Sequence, residues 1–409
     1  MNTKKKVPII RIKGFNDDWE RRKLGELVKF SKGTGYSKGD LKEFGTPIIL
    51  YGRLYTNYET VIKDVDTFVD AKNGSVYSCG GEVIIPASGE TAEDISVASV
   101  VGKSGILLGG DLNIITPPSE IDSAFLALSI SNGKPHNEMA KMAQGKSIVH
   151  LHNSDLEKIE LAYPSYEEQV QISTYFGYLD HLITLHQREI DRIVCLRKAM
   201  VEKMFPQNGA DVPAVRFSRY KEPWRLCQFS EIFTERHIID TISDEYPQLA
   251  FTIEEGVIRP EDKKTNKRDF LIIDKATKKY LQTEYDDIIY NPANVIYGAI
   301  HRNALGKGCV SPIYKIFYTD QDSTFMECIV RHPNFIKEIS RSMEGTVKKL
   351  RTLKPKAFLE MSAYIAPTIE EQRQIGEYFR QMDRLIEIEK EELEKIKHIK
   401  SACLEKMFV

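Results

Sequence analysis

Two stretches of this chain repeat each other without a gap. Residues 164–205 and 367–408, separated by a constant 203 positions, are identical at 18 of 42 places. The matches include Pro164/Pro367, Glu167/Glu370, Glu168/Glu371, Gln169/Gln372, Tyr175/Tyr378, Phe176/Phe379, Asp180/Asp383 and the closing Glu-Lys-Met-Phe. A second match precedes each: residues 7–27 align with 212–232, and Val7/Val212, Pro8/Pro213, Arg11/Arg216, Trp19/Trp224 and Glu26/Glu231 coincide. The two tryptophans of the chain stand at equivalent places. Each half is thus an opening motif, a long middle and a repeated tail. The middles, about 28–160 and 233–363, share no similarity visible in the sequence. Such a pattern is an internal duplication in which a common frame carries two different inserts.

The repeated tails have the periodicity of helices. Apolar residues recur in steps of three and four: Ile172, Phe176, Leu179, Ile183, Ile190, Ile193, Leu196 and Met200, then Ile375, Phe379, Met382, Ile386, Leu393, Ile396, Ile399 and Cys403. Proline before Glu-Glu-Gln suits a helix start, with acids at the positive end of the helix dipole. A helix of roughly 37 residues would be about 55 Å long. One apolar stripe on such a rod calls for a partner helix, and the chain supplies its own twin. The middles hold short apolar runs bounded by Gly, Pro, Asn or Asp, such as Glu82-Val-Ile-Ile-Pro and Asp287-Ile-Ile-Tyr, which read as strands. Residues 123–131 and 333–343 read as short helices. Trp19 and Trp224, among apolar neighbours, read as packing anchors.

The expected fold is therefore α+β: two mixed, strand-rich domains separated by two long antiparallel helices in a coiled coil, with pseudo-twofold internal symmetry. The expected boundaries are 1–163, 164–206, 207–365 and 366–409.

Catalytic motifs are not found. Gly102-Lys103-Ser104 and Gly145-Lys146-Ser147 resemble the end of a phosphate loop, but Val97 and Ala140 stand where its leading glycine belongs. Tyr290-Asn-Pro-Ala-Asn lacks the second proline and the aromatic of an adenine-methyltransferase loop. His150 and His152, two apart, are weak as metal ligands, and no metal site is expected. Six scattered cysteines without a CxxC pattern read as reduced thiols of a cytoplasmic protein. The basic start lacks an apolar core, so no secretory signal is expected, and no apolar run is long enough to span a membrane.

A net charge of −2 does not announce a nucleic-acid binder, but its distribution is uneven. Residues 1–40 hold eleven Lys/Arg against five Asp/Glu, and residues 331–356 hold eight against two. Local excess of this kind suits a phosphate-contacting face, and a solvated surface fits it as well.

The duplicated order resembles the specificity subunit of type I restriction–modification systems over essentially the full chain. The residues that carry the resemblance are Pro8, Arg11 and Trp19 with Pro213, Arg216 and Trp224, and the Pro-x-x-Glu-Glu-Gln starts at 164–169 and 367–372. Ile85-Pro-Ala-Ser-Gly89 with Gly109-Gly-Asp-Leu112, and Gly308-Cys-Val-Ser-Pro-Ile-Tyr314, add to it. The resemblance implies that each middle is a target recognition domain reading one half of a split duplex-DNA site. It implies that the helices space the domains and dock two methyltransferase subunits, with restriction subunits joining the complex. Chemistry would then reside on those partners, which use S-adenosylmethionine and ATP with Mg, and this chain would bind no cofactor and act as no enzyme by itself. Polar and aromatic loop residues become the candidate DNA readers: Arg53, Tyr55, Ser88, Thr91, Lys146, Ser147, His150 and His152 in the first middle, Tyr297, His301, Arg302, Lys348, Lys349 and Arg351 in the second. A coiled-coil scaffold that never touches DNA is the alternative from another class. Divergent basic middles fit it poorly.

Overall fold

A computed structural model describes residues 7–143, 148–207, 209–262, 278–343 and 351–408. It has the expected α+β architecture. The repeated tails are helices of equal length, Tyr166–Met204 and Ile369–Met407. The chain divides into two compact units, Met1–Gln187 with Glu391–Val409, and Arg188–Lys390. Both long helices therefore contribute to both units, a partition that boundaries drawn along the sequence do not follow.

In the first unit the strand Glu20–Lys23 pairs antiparallel with Glu160–Tyr163, so that the beginning and end of the domain are tied together. Between them lies a five-stranded sheet in the spatial order Lys29–Lys32, Leu112–Thr116, Val83–Pro86, Ser99–Val101 and Val61–Ile62. Val83–Pro86 is buried at every residue, as its continuous apolar run requires. A smaller sheet joins Phe68–Val69, Thr46–Ile49 and Leu107–Leu108.

The second unit repeats this plan in a sequence that does not resemble the first. Arg225–Gln228 pairs antiparallel with Ser362–Ile365, and a four-stranded sheet runs Thr234–Glu235, Lys315–Tyr318, Ile288–Tyr290, Ile300–Arg302. The strand order is that of the first four strands above. The carboxylate preceding the central strand plays one role in both. Glu82 accepts from the backbone N–H groups of Cys79 and Gly80, at 2.5 and 2.9 Å, and Asp287 accepts from that of Glu284 at 2.7 Å. A short helix follows each sheet, Ser123–Ser131 and Ser323–Val330, with Asp122 and Asp322 as caps accepting from the N–H groups of Phe125 and Phe325. The middles are thus one topology twice, which side-chain divergence concealed.

The repeated residues build the joint between each domain and the helices. Glu168 receives two hydrogen bonds of 2.7 Å from Arg11, and its side chain is 1% exposed. Glu371 receives 2.7 and 2.9 Å bonds from Arg216, and a 3.3 Å bond from Nε1 of Trp224. The glutamine that follows in each copy accepts from the backbone N–H of the capping aspartate, Gln169 from Asp122 at 2.9 Å and Gln372 from Asp322 at 3.2 Å. Glu-Glu-Gln is therefore a latch as well as a helix start. The repeated Met-Phe closes an aromatic cluster. In the first unit Phe408 lies 6.1 and 5.9 Å from the rings of Phe125 and Phe176, with Trp19 against Phe125. In the second, Phe205 meets Phe325, Phe379 and Trp224 at 5.4, 6.1 and 5.8 Å. Both tryptophans are 3% exposed, as packing anchors should be. In each unit the start of one long helix therefore packs against the end of the other, which is the antiparallel arrangement. Leu196 and Ile399 depart from the expected stripe. Both lie close to half exposed, and they are equivalent positions.

Candidate nucleic-acid interface

In the first unit a short segment crosses the ends of three strands. Strand Ser88–Gly89, just past Val83–Pro86, pairs with Val149–His150, and His150 lies opposite Ser88. The N–H of Leu151 donates to the carbonyl of Ala87 at 3.0 Å. Asn113 donates to the Leu151 carbonyl at 2.9 Å, and Asn153 donates to the Ser31 carbonyl at 3.1 Å. Leu151 is fully buried, while His150 and His152 on either side of it are exposed. Alternation along an extended segment produces this, with one side chain anchoring and its neighbours displayed. The two imidazole rings are parallel within 6°, with centroids 6.4 Å apart. Buried Ser88 makes a 3.1 Å hydrogen bond to Nδ1 of His150. Thr91 is exposed in the following turn, exchanging hydrogen bonds with Asp94.

The second unit repeats the attachment just past its central strand. Leu353 donates to the carbonyl of Pro292 at 3.0 Å, and Tyr290 donates to the Leu353 carbonyl at 3.3 Å. Leu353 is fully buried. Its neighbours, Thr352 and Lys354, stand where the first unit has His150 and His152. Tyr297, in the loop beyond Ile288–Tyr290, is 66% exposed.

Several other candidates are paired or partly buried inside their own domain. Arg53 sits among carboxylates, 2.8 Å from Glu59 and 2.9 Å from Asp66, with a further bond to the Asp64 carbonyl. Tyr55 is half-buried beside Tyr51, and burial raises its phenol pKa. His301 is 3% exposed and donates through Nε2 to the Ile253 carbonyl at 2.8 Å; burial, aided by Arg331, lowers its pKa to about 4. Arg302 is paired with Asp286 at 2.8 Å and lies 3.6 Å from Glu327. Arg351 donates to the carbonyls of Ser340 and Met343, at 3.0 and 2.8 Å, and so caps the helix Pro333–Ser342. Lys146, Ser147, Lys348 and Lys349 lie outside the described residues.

Sequence reading overlooked Lys29 and Lys32. Both are exposed on the edge strand beneath the first crossing segment, and neither makes an ion pair among the described residues. It also overlooked the roles of Arg11 and Glu168, although their identity in both copies was the available signal. Among the described residues no cluster of His, Cys, Asp or Glu could hold a metal ion, and no helix is long and apolar enough to cross a membrane.

A duplicated frame bearing two like domains with unlike crossing segments defines a chain that carries two related but different surfaces. Over nearly its whole length the chain is similar to specificity subunits of type I restriction–modification systems. Residues 16–194 match the type I restriction modification DNA specificity domain. The MjaVIII specificity subunit of a type I restriction enzyme from Methanocaldococcus jannaschii is 22% identical, over 95% of this chain and 91% of that one. The fold is shared with the crystal structure of the type I restriction–modification S subunit from M. genitalium, at a TM-score of 0.64 and 16% identity, covering 98% of this chain and 99% of that one.

Proposed function

We propose that this chain reads a bipartite duplex-DNA site, one half with each domain, and performs no chemistry itself. The observation that carries this reading is the paired crossing segment: one backbone attachment in both units, with exposed His150 and His152 flanking its leucine in the first and half-buried Thr352 and exposed Lys354 in the second. Base edges in the major groove distinguish all four base pairs, so two unlike sets of side chains on like scaffolds select two unlike half-sites. Exposed lysines such as Lys29 and Lys32 supply the sequence-independent attraction to phosphates. The two long helices would dock two methyltransferase subunits, which would use S-adenosylmethionine, and restriction subunits using ATP and Mg would complete a cytoplasmic complex.

Exchanging residues 233–363 for the middle of a related chain tests this. Mapping of methylated adenines in cells should show a split motif of which only one half changes. A motif that changed in both halves, or a contiguous one, would refute the two-reader arrangement.

A further inference from the structure

The first crossing segment contains a hydroxyl whose proton has one place to go. Ser88 is 4% exposed, and the contact of its Oγ among the described residues is Nδ1 of His150 at 3.1 Å. If Nδ1 carried the proton and donated to Ser88, the buried hydroxyl hydrogen would have no acceptor, which is unfavourable for a group removed from water. The arrangement that satisfies both groups has Ser88 donating to Nδ1. In a neutral imidazole this puts the ring proton on Nε2. His150 is exposed, its backbone is fixed by pairing with Ser88, and Leu151 beside it is anchored at the Ala87 carbonyl. The outward edge of His150 is thus a hydrogen-bond donor held in a set direction.

We infer that His150 reads a purine N7 in the first half-site, and that Ser88 is the positioning residue that fixes its donor tautomer. This rests on the DNA-reading function proposed above and names one of its contacts. N7 is an acceptor on both adenine and guanine in the major groove, whereas pyrimidines present no ring nitrogen there. Guanine O6 and thymine O4 also accept in this groove, so the donor selects a purine through its placement at N7, which the analogue test below isolates. The second unit has Thr352 and Ala293 at the corresponding places and cannot read in this way.

The test uses the chain assembled with its methyltransferase partner, on duplexes carrying the motif found by methylation mapping. Each purine of the first half-site is replaced in turn by its 7-deaza analogue, which removes N7 alone. For the wild type, one replacement should lower affinity about tenfold. His150→Ala should show the same loss on unmodified DNA and no added loss on that analogue. Ser88→Ala should lose part of the discrimination at that position, with binding to the second half-site unchanged. His150→Ala retaining full sensitivity to every analogue, or weakening all sequences equally, would overturn the assignment while leaving the two-reader function standing. A wild-type complex with no split motif would overturn both.

Discussion

Arg197 on the first long helix and Asp383 on the second form a two-pronged salt bridge, Nε to Oδ1 at 2.5 Å and Nη2 to Oδ2 at 3.0 Å. Its counterpart in the other unit joins Asp180 to Lys400, and each partner is displaced by 203 positions from its equivalent. Each helix therefore carries an acid near its start and a cation near its end. Only antiparallel pairing in this register satisfies both acids. Arg197→Ala should destabilise the second unit by about 1–2 kcal/mol. Exchanging the charges, Arg197→Asp with Asp383→Arg, should recover most of that loss in urea melts. Failure to recover would show that packing of the arginine stem, not the charge, matters.

The latch predicts a larger effect. Glu371→Gln leaves the buried Arg216 guanidinium facing a neutral amide, and loss of a buried partner costs roughly 3–5 kcal/mol. The tryptophans should differ. Trp224 donates to Glu371, whereas Nε1 of Trp19 is buried without a partner among the described residues. Trp224→Phe should therefore cost more than Trp19→Phe in thermal melts, and equal losses would mean the indole bond contributes nothing.

Two glycines in the long helices should respond to alanine with opposite sign. Gly177 has open space where a Cβ would go, so Gly177→Ala should stabilise by about 0.5–1 kcal/mol. At Gly376 a Cβ would lie 2.1 Å from Oδ1 of Asp322, the helix cap, so Gly376→Ala should destabilise. Ser173 occupies the equivalent place in the first unit and donates to Asp122; Arg380, equivalent to Gly177, performs that service for Asp322. Matching signs in calorimetry would contradict this account.

Acid should weaken the second unit through His301. Its folded pKa of about 4 lies below the usual 6.5 because burial, and then Arg331, disfavour the charge. Between these values the unfolded chain binds the extra proton, so stability is fully present above about pH 6.5 and falls as the pH drops toward 4. Burial lowers His332 as well, with the same sign. Denaturation midpoints at pH 7 and pH 5 should differ less in His301→Gln, which can keep a donor toward the Ile253 carbonyl.

Arg351→Ala should loosen the helix it caps, by about 1–2 kcal/mol, and leave the salt dependence of DNA binding unaltered. A slope reduced by about one would place the guanidinium on a phosphate.

Much of the frame was legible in the sequence because duplication exposes it. The long helices, the short helices at 123–131 and 333–343 and the tryptophan anchors follow from periodicity and from identity at a fixed offset, whereas the helix Ser323–Val330 and the aspartate caps were not read. The kinship of the two middles was not legible. Strand order rests on main-chain pairing, and Glu82 and Asp287 do equivalent work within unrelated neighbours. Single cations were the hardest to judge. Arg53 and Arg302 resemble free phosphate contacts until Glu59, Asp66, Asp286 and Glu327, distant or unremarkable in the sequence, are seen beside them. Ser88 and His150, 62 residues apart, were both candidates, but nothing in the sequence joined them.

Each crossing segment hangs from the sheet by a leucine whose bond to the neighbouring strand, Leu151 to Ala87 or Leu353 to Pro292, is made by backbone atoms. Backbone pairing is indifferent to which side chains flank the leucine. Substitutions at these flanking positions can therefore accumulate without breaking the attachment, and on the proposed reading each intermediate would be a folded protein with a slightly altered preference. On that reading a lineage of such chains would move through target sequences one residue at a time, with the latch and the aromatic clusters holding the scaffold still.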